Sequence, residues 1–275
     1  MRTKFKRQKG RGAVQPADEK VKDFPAKDGK YAAGVPLAEI LSHKLTNAPE
    51  LVVRDNGGSF IAEKFRRLKS ILSVEDGLNP QVMVVTSSAP GEGKSLVAMN
   101  LSLAFGASKD ARSLVIDADL RRPTLYRWLS PSPNIGLAEL ITEDLDPKHA
   151  ILHIKDTRLD ILPAGKATED PDQLLGSKRM RDLVEKFRGR YQKIIIDTPP
   201  IVPFTDADIV SACSDGVLLI ARSGQTTVSL LRQAESLVQG APLLGIVLND
   251  QKRTLADWEN RYESYYKDYY ERDRK

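Results

Sequence analysis

Cysteine and long apolar runs are scarce in this chain. Cys213 is its one cysteine among 275 residues, which excludes an internal disulfide and is typical of a reducing compartment. No apolar run approaches the ~20 residues needed to span a bilayer, and the N-terminus lacks the apolar segment of a signal peptide. We therefore expect a cytoplasmic protein, unless a partner tethers it to a membrane.

Excess charge is also missing from most of the chain. Residues 1–30 hold ten Lys and Arg against four Asp and Glu, whereas the remaining residues hold 32 against 33. The net charge of +5 therefore arises in the N-terminal segment. Such a segment could contact anionic lipid or nucleic acid, but a solvated arm is the simpler interpretation. We expect residues 1–30 to be a disordered basic tail, and we expect no nucleic-acid partner.

A glycine-containing loop between an apolar run and a helical pattern is the most informative feature. Residues 86–95 read Thr-Ser-Ser-Ala-Pro-Gly-Glu-Gly-Lys-Ser and follow the apolar residues 82–85. Backbone N–H groups of such a loop can surround a phosphate, and the helix N-terminus adds a positive dipole. Lys94 could then reach the β- and γ-phosphates, and the Ser95 hydroxyl could bind Mg²⁺. The predicted nucleotide-binding residues are Pro90, Gly91, Glu92, Gly93, Lys94, Ser95 and Leu96.

The loop departs from the usual G-x-x-x-x-G-K-[ST] template at one position, because Ser88 replaces the first glycine. A Gly-Lys-Ser at a helix start can also arise by chance. The strand–loop–helix context favours a site for ATP and Mg²⁺.

Three aspartates end two further apolar segments. Asp117 and Asp119 follow the run 114–116, and Asp197 follows the run 194–196. Continuous apolar runs are typical of central parallel strands, and ligands of such sheets bind at the carboxyl ends of the strands. Each aspartate alone could be a helix or turn cap. Three together, beside a phosphate loop, are better explained by Mg²⁺ and its waters.

Alternation of strand and helix patterns predicts an α/β fold with a mostly parallel central sheet and helices on both faces. We expect a domain over residues 59–250, preceded by a linker over residues 31–58 in which residues 37–45 form a short helix. The expected strands are 81–86, 113–117, 159–162, 193–197, 215–221 and 243–248. The expected helices are 59–72, 95–106, 122–128, 136–142, 178–188, 206–212 and 226–239.

The C-terminal segment, residues 251–275, contains five of the eight tyrosines: Tyr262, Tyr265, Tyr266, Tyr269 and Tyr270. Their spacing also fits an amphipathic helix that packs a tyrosine face. The residues between them are charged or small, however, and none is Leu, Ile or Val. We therefore expect a flexible tail whose tyrosines enter another molecule's active site as phosphoryl acceptors.

These motifs together resemble the bacterial tyrosine kinases of capsule and exopolysaccharide loci, in their stand-alone cytoplasmic form. The resemblance covers residues 59–275 and is carried by the phosphate loop, the segments 114–121, 162–165, 194–200 and 245–249, and the tyrosine cluster. It implies a P-loop NTPase fold and tyrosine autophosphorylation with ATP and Mg²⁺. The catalytic residues it implies are Lys94, Asp117, Asp119 and Asp197, with Ser95, Asp119 and Asp197 at the metal. By analogy with the family, Asp117 is the best candidate to orient or deprotonate the tyrosine hydroxyl, but the sequence leaves the division of roles between Asp117 and Asp119 open. Asn249, at the end of a late strand, could contact the adenine ring or be a turn residue.

The resemblance also implies partners. Glu63, Arg66 and Lys69 match a subunit-contact motif, E-x-x-R-x-x-R, in which the last arginine is here a lysine. Lysine lacks the planar fork for bidentate pairing, so ring assembly would be weaker. The implied partners are further copies of the chain in a ring, a membrane-spanning activator that recruits it to the inner membrane, a cognate tyrosine phosphatase, and protein substrates of polysaccharide synthesis.

Two other classes of function remain open on the sequence. Partition-type and septum-site ATPases share the fold and motifs, but they carry a second lysine where this chain has Ala89, and they lack the tyrosine cluster. Such a protein would be an ATPase switch that positions cargo. The third class is an ATP-bound scaffold of the export machinery without turnover.

Overall fold

The computed structural model describes residues 42–45, 48–53, 59–73, 79–107, 111–130, 133, 135–143, 145–166 and 168–251. Its strands are β1 Ser42–Leu45, β2 Val82–Ser87, β3 Ser113–Asp117, β4 Leu129–Ser130, β5 Leu152–Ile154, β6 Leu159–Leu162, β7 Lys193–Asp197, β8 Gly216–Arg222 and β9 Leu243–Asn249. Its α-helices are α1 Phe60–Ile71, α2 Lys94–Gly106, α3 Leu137–Thr142, α4 Pro171–Leu175, α5 Lys178–Arg188, α6 Asp206–Ser211 and α7 Val228–Leu237. Leu125–Trp128 and Pro147–His149 are 3₁₀ turns.

The described strands form one sheet in the order β4-β1-β5-β6-β3-β7-β2-β8-β9. All neighbours from β6 to β9 are parallel, whereas β4 pairs with β1 and β5 pairs with β6 in antiparallel fashion. Strands β2, β3 and β7 are central neighbours, so the loops that follow them leave the same edge of the sheet. The predicted α/β architecture with a mostly parallel sheet is confirmed.

Alternate residues of the central strands face opposite sides of the sheet. Val84, Ile116 and Ile196 belong to the apolar cluster beneath α3 to α6, whereas Val85 and Val115 belong to the cluster beneath α1 and α2. A strand buried on both faces must be apolar throughout, which explains the unbroken apolar runs in the sequence. Helices therefore cover both faces, as the sequence pattern predicts.

The predicted helix starts are set by hydroxyl caps. The Ser59 side chain accepts a hydrogen bond from the Ala62 N–H at the start of α1, and Ser177 and Thr227 do the same for α5 and α7. These bonds satisfy N–H groups that have no partner inside the helix. Within the described residues, no helix is both long enough and apolar enough to cross a membrane.

Two expectations about elements were wrong. Residues 42–45 are a strand rather than part of a helix. The helix expected over 122–128 is reduced to the turn Leu125–Trp128, because Asp117 and Asp119 hold the N–H groups of Arg122, Thr124 and Leu125.

Part of the expected linker belongs to the folded domain. Leu51 and Val53 are buried in the core. The Asn100 amide of α2 fixes this turn, since it donates to the Glu50 carbonyl at 3.0 Å and accepts from the Val53 N–H at 3.3 Å. The expected N-terminal tail, residues 1–30, lies outside the described residues, and so does the expected C-terminal tail, residues 251–275, except for its first residue.

We expect Phe187→Ala to lower the free energy of unfolding by about 3–5 kcal/mol, because it opens a cavity in the core. Phe187 is fully buried, and its ring meets the Tyr191 ring edge-on with centroids 6.2 Å apart. Val228→Ala is the matched control, since Val228 is 68% exposed and its truncation should change stability by at most about 0.5 kcal/mol. Urea unfolding followed by circular dichroism measures both, and equal losses would contradict the core assignment.

Candidate nucleotide-binding and catalytic site

The phosphate loop connects β2 to α2. Gly91 and Gly93 both have positive φ, 81° and 89°, a region that glycine adopts without strain. Gly93 also has no room for a side chain, because a Cβ atom there would lie 2.0 Å from Asn249 Nδ2. Helix α2 begins at Lys94, directly after this turn. The predicted strand, glycine loop and helix N-terminus are therefore all present, and they form the backbone arrangement that binds phosphate.

Lys94 joins the phosphate loop to two of the three acidic residues. Its Nζ lies 2.8 Å from Asp119 Oδ2, 3.6 Å from Asp197 Oδ1 and 3.2 Å from Ser95 Oγ. Burial opposes the charged ammonium, but Asp197 and Asp119 outweigh burial and raise the pKa of Lys94. Lys94 is therefore a cation at neutral pH, held where it can exchange a carboxylate for a phosphate.

Asp117 is fully buried, and both of its carboxylate oxygens are occupied. Oδ1 accepts from the Asp119 N–H at 3.2 Å, and Oδ2 accepts from the N–H groups of Thr124 and Leu125 at 3.0 Å each. Burial, together with the negative charge of Asp197, raises the pKa of Asp117 to about 7. These bonds favour a role in shaping the loop that carries Asp119 over direct contact with a tyrosine hydroxyl, which stays a prediction.

Asp197 is the carboxylate that lacks hydrogen bonds. It is completely buried, and neither of its oxygens has a hydrogen-bond partner within the described residues. Burial raises the pKa of Asp197 to about 6, although the Lys94 ammonium acts in the opposite direction. An orphaned buried carboxylate beside a phosphate loop fits a metal ion or its waters, which would supply the missing partners.

The described residues do not contain a group of three or more His, Cys, Asp or Glu side chains arranged as a metal site. Mg²⁺ seldom needs one, because it keeps several waters and takes one or two carboxylates together with phosphate oxygens. Ser95, Asp119 and Asp197 fit that pattern: the first opens α2 beside Lys94, and the two acids contact the Lys94 ammonium. The three predicted ligands are thus brought together around one cation.

Asn249 lies against the phosphate loop at the end of β9. Its Nδ2 donates to the Glu92 carbonyl at 2.9 Å, so its amide supports the loop. Its predicted contact with adenine stays a prediction. Of the other predicted nucleotide-binding residues, Pro90 and Gly91 are exposed at the loop tip, Glu92 is buried, and Leu96 is half-buried in the first turn of α2.

Sequence reasoning missed some residues at this edge. The hydroxyls of Ser88 and Thr124 are buried without a hydrogen-bond partner in the described part of the chain. For Ser88, the sequence did carry a signal, because this serine replaces the first glycine of the phosphate-loop motif. Arg121 binds the buried Asp206 carboxylate through Nε at 3.1 Å and stacks on Phe204 at 4.6 Å. It therefore connects the loop after β3 to the segment after β7.

The three predicted subunit-contact residues all lie on α1. Arg66 pairs with Glu63 at 2.6 Å within the same helix, and both are more than one-third exposed. Lys69 donates to the Ala104 carbonyl at 3.0 Å, near the C-terminus of α2. The tyrosines Tyr262, Tyr265, Tyr266, Tyr269 and Tyr270 lie outside the described residues.

Comparisons with known proteins give consistent results. No family model matches the chain. The tyrosine-protein kinase YwqD of Bacillus subtilis is 34% identical over 172 residues, which is 62% of this chain and 72% of YwqD. The succinoglycan biosynthesis transport protein ExoP of Rhizobium meliloti is 33% identical over 205 residues, which is 72% of this chain but 26% of ExoP. The chain thus matches most of one relative and about a quarter of the other.

Solved structures agree with these relatives. The chimerical protein CapA2B2 superposes with a TM-score of 0.69 at 31% identity, covering 78% of this chain and 94% of its own. The kinase domain of Escherichia coli tyrosine kinase ETK superposes with a TM-score of 0.69 at 28% identity, and the match covers 77% of this chain and 84% of the ETK domain. The septum site-determining protein MinD of Pyrococcus horikoshii, solved with Mg-ADP, is 22% identical with a TM-score of 0.52, which supports the fold alone. The chain therefore belongs to the bacterial tyrosine-protein kinases, whose catalytic domain has the P-loop NTPase fold.

Proposed function

We propose that this chain transfers the γ-phosphoryl group of ATP to tyrosines 262, 265, 266, 269 and 270 of another copy of itself. The observation that carries the proposal is the Lys94 ammonium, held at 2.8 Å from Asp119 and 3.6 Å from Asp197 beside the glycine loop. This arrangement supplies a phosphate-binding cation and a pair of carboxylates at one point. Phosphoryl transfer depends mainly on positioning and charge neutralisation, so no covalent nucleophile is needed.

Lys94 changes partner when the nucleotide binds. The N–H groups around Gly91 and Gly93 surround the phosphates, and the Lys94 ammonium moves from Asp119 Oδ2 to the β- and γ-phosphates. That movement releases one oxygen of Asp119 towards the metal waters or the incoming tyrosine. Asp117 keeps the Asp119 loop in place through its three backbone contacts.

The metal site is assigned to Ser95, with Asp197 and Asp119 holding waters. Mg²⁺ bound there with the nucleotide would neutralise phosphate charge and polarise the γ-phosphoryl group. Asp197 supports this assignment, because its two buried oxygens have no hydrogen bonds within the described residues. The chemistry of the donor set, two carboxylates and a hydroxyl, is that of a hard cation.

The proposed cellular role is regulation of exopolysaccharide or capsule synthesis and export. Two relatives support it by name, the succinoglycan transport protein ExoP and the putative tyrosine-protein kinase CapB of Staphylococcus aureus, which is 28% identical over 212 residues. We propose that a membrane-spanning activator recruits the chain to the inner membrane, and that Glu63, Arg66 and Lys69 on α1 contact the next copy in a ring. A cognate tyrosine phosphatase would reset the tail, since uncatalysed phosphate-ester hydrolysis is extremely slow.

We expect Lys94→Met to lower autophosphorylation at least about 100-fold, because a lost phosphate contact costs several kcal/mol in the transition state. Mixing Lys94→Met with an active chain whose five C-terminal tyrosines are replaced by Phe should place label from γ-labelled ATP on the Lys94→Met chain. Mass spectrometry should map that label to residues 262–275.

The Lys94→Met chain alone is the control for this mixture and should stay unlabelled. Absence of label on it in the mixture would contradict transfer between copies. Release of labelled phosphate without labelled protein would indicate an ATPase switch, and binding without turnover would indicate a scaffold.

Asp197→Asn should have opposite effects on the free and the nucleotide-bound protein. Asp197 is a buried charge without hydrogen bonds among the described residues, and its ion pair with Lys94 is long, at 3.6 Å. Its removal should therefore raise the free energy of unfolding of the free chain by about 1 kcal/mol. Mg-ADP at about 100 times its Kd should stabilise the wild type by about 2.7 kcal/mol and the variant by less than about 1 kcal/mol. Thermal unfolding with and without Mg-ADP measures both effects, with Asp182→Asn as the control, since Asp182 is 60% exposed on α5.

The increase in the free energy of unfolding that Asp197→Asn causes should also depend on pH. Since folding raises the pKa of Asp197 from 3.8 to about 6, the carboxyl is neutral in both states only at about pH 3 and below. The cost of its ionisation in the folded protein develops as the pH rises through these two pKa values and is complete above about pH 7. The stability difference between variant and wild type should therefore be small at about pH 3, about half of its full size near pH 5, and largest above about pH 7. A difference that shrinks as the pH rises would contradict the assignment.

A further inference from the structure

Four residues from the end of the sheet hold the phosphate loop from outside. They are Arg222 and Thr226, at either end of the turn that follows β8, and Asn249 and Asp250, at the end of β9. We call them the loop clamp. The printed sequence separates them from the loop by about 130 to 160 positions, so only the parallel pairing of β2, β8 and β9 brings them to it.

Thr226 reaches the loop because the turn that precedes it folds back. The N–H groups of Gln225 and Thr226 donate to the Arg222 carbonyl at 3.1 and 2.9 Å, and Gly224 adopts the positive φ that this turn requires. The Arg222 N–H then donates to Thr226 Oγ1 at 2.7 Å. The Thr226 hydroxyl therefore uses its own proton to donate to Glu92 Oε1.

Glu92 passes this contact on to the first part of the loop. Its second oxygen, Oε2, accepts from the Ala89 N–H at 2.9 Å, and the residue is 4% exposed. A carboxylate that accepts a hydrogen bond on each oxygen is held in one orientation. Through Glu92, the Thr226 hydroxyl fixes the width of the loop between Ala89 and Glu92.

The remaining clamp residues hold two carbonyls of the loop. Arg222 donates from Nη1 to the Gly91 carbonyl at 3.2 Å, and its other nitrogens bind Asp250 Oδ2 at 2.8 and 2.7 Å. Asn249 Nδ2 donates to the Glu92 carbonyl at 2.9 Å, and the Asn249 carbonyl accepts from the Ser223 N–H at 2.8 Å. Two successive carbonyls are thus bound to the clamp, which leaves the N–H groups of the loop for a ligand.

We propose that the loop clamp is a set of positioning residues that preorganises the phosphate loop, and that nucleotide affinity depends on it. The inference rests on the proposed function, in which this loop binds the phosphates of ATP. A loop already held in its binding shape loses less conformational entropy on binding, so its affinity is higher.

Thr226→Val tests the clamp with little change in shape, because it replaces the hydroxyl by a methyl group. We expect Mg-ADP to bind about five- to tenfold more weakly by titration calorimetry, the effect of one lost hydrogen bond. The KM for ATP should rise by a similar factor while kcat changes less than twofold, since the clamp does not touch the transferred group. Thr226→Ser keeps the hydroxyl and should restore the affinity to within about twofold.

Thr157→Val is the matched control. The Thr157 hydroxyl also lies in a half-buried turn, where it donates to the Ile154 carbonyl at 2.8 Å and accepts from the Leu159 N–H at 3.1 Å, at the opposite edge of the sheet. The Thr157→Val variant should lose about as much stability as Thr226→Val, but it should keep the wild-type affinity for Mg-ADP. Faster amide exchange at Gly91 to Gly93 in Thr226→Val, and not in Thr157→Val, would locate the effect in the loop.

Asp250→Ala tests the other side of the clamp, because it removes the anchor of Arg222 and leaves the loop itself unchanged. It should also weaken Mg-ADP binding, whereas Asp182→Ala, which removes an exposed carboxylate from an ion pair within α5, should not. Wild-type affinity in both Thr226→Val and Asp250→Ala, or equal losses in Thr226→Val and Thr226→Ser, would overturn the clamp. Failure of the wild type to bind Mg-ADP would instead remove the proposed function.

Discussion

The ion pair between Lys94 and Asp119 is the interaction on which the site depends. A buried ammonium without a partner would be neutral or would destabilise the fold, and a buried carboxylate without one would do the same. Their 2.8 Å contact gives each of the two groups an ion-pair partner before any ligand arrives. Phosphate binding then becomes an exchange of one anionic partner for another, which avoids the larger cost of moving the ammonium from water into the site.

The same charges explain why a divalent cation belongs in this site. Asp117 and Asp197 are directly opposite each other in the register of β3 and β7, and both are fully buried. Like charges at such short range raise each other's pKa and destabilise the ionised pair. Lys94 alone does not balance three carboxylates. A metal ion that enters with the nucleotide would add the missing positive charge, and its waters could bind the oxygens of Asp197, which have no hydrogen-bond partner among the described residues.

Much of the fold could be predicted from the sequence because local pattern and tertiary environment agree there. Strands β2, β3 and β7 each contain an unbroken apolar run, residues 82–85, 114–116 and 194–196. Ser59, Ser177 and Thr227 mark the starts of their helices. Strand β1 could not be predicted, since a strand of four residues has neither a long apolar run nor a cap signal. Its neighbour, the turn 48–53, joins the core through Asn100, a contact between residues almost fifty positions apart.

The candidate site likewise combines features that could be predicted from the sequence with features that could not. The glycine loop, Lys94 and the three aspartates could be predicted, because each motif is local and parallel strands bring their carboxyl ends together. The roles of the aspartates could not, because they depend on which oxygens are already occupied: three N–H groups bind Asp117, whereas Asp197 has no such bond among the described residues. The loop clamp was equally hidden, since Thr226 and Arg222 match no motif and act only through the pairing of β8 with its neighbours.

Two pairs of strands contribute different groups to the surroundings of the phosphate loop. Strands β3 and β7 lead to the carboxylates that hold the metal in the proposed mechanism, whereas β8 and β9 carry neutral or paired groups that hold the backbone of the loop. A precise loop is needed because backbone N–H groups are weak individually and bind phosphate strongly only when several converge. The residues of the loop clamp therefore surround the loop tip, and Lys94, the cation that changes partner in the proposed mechanism, lies at its base. The carboxylates and the loop clamp therefore lie on different strands, so the clamp residues can change without loss of the carboxylates.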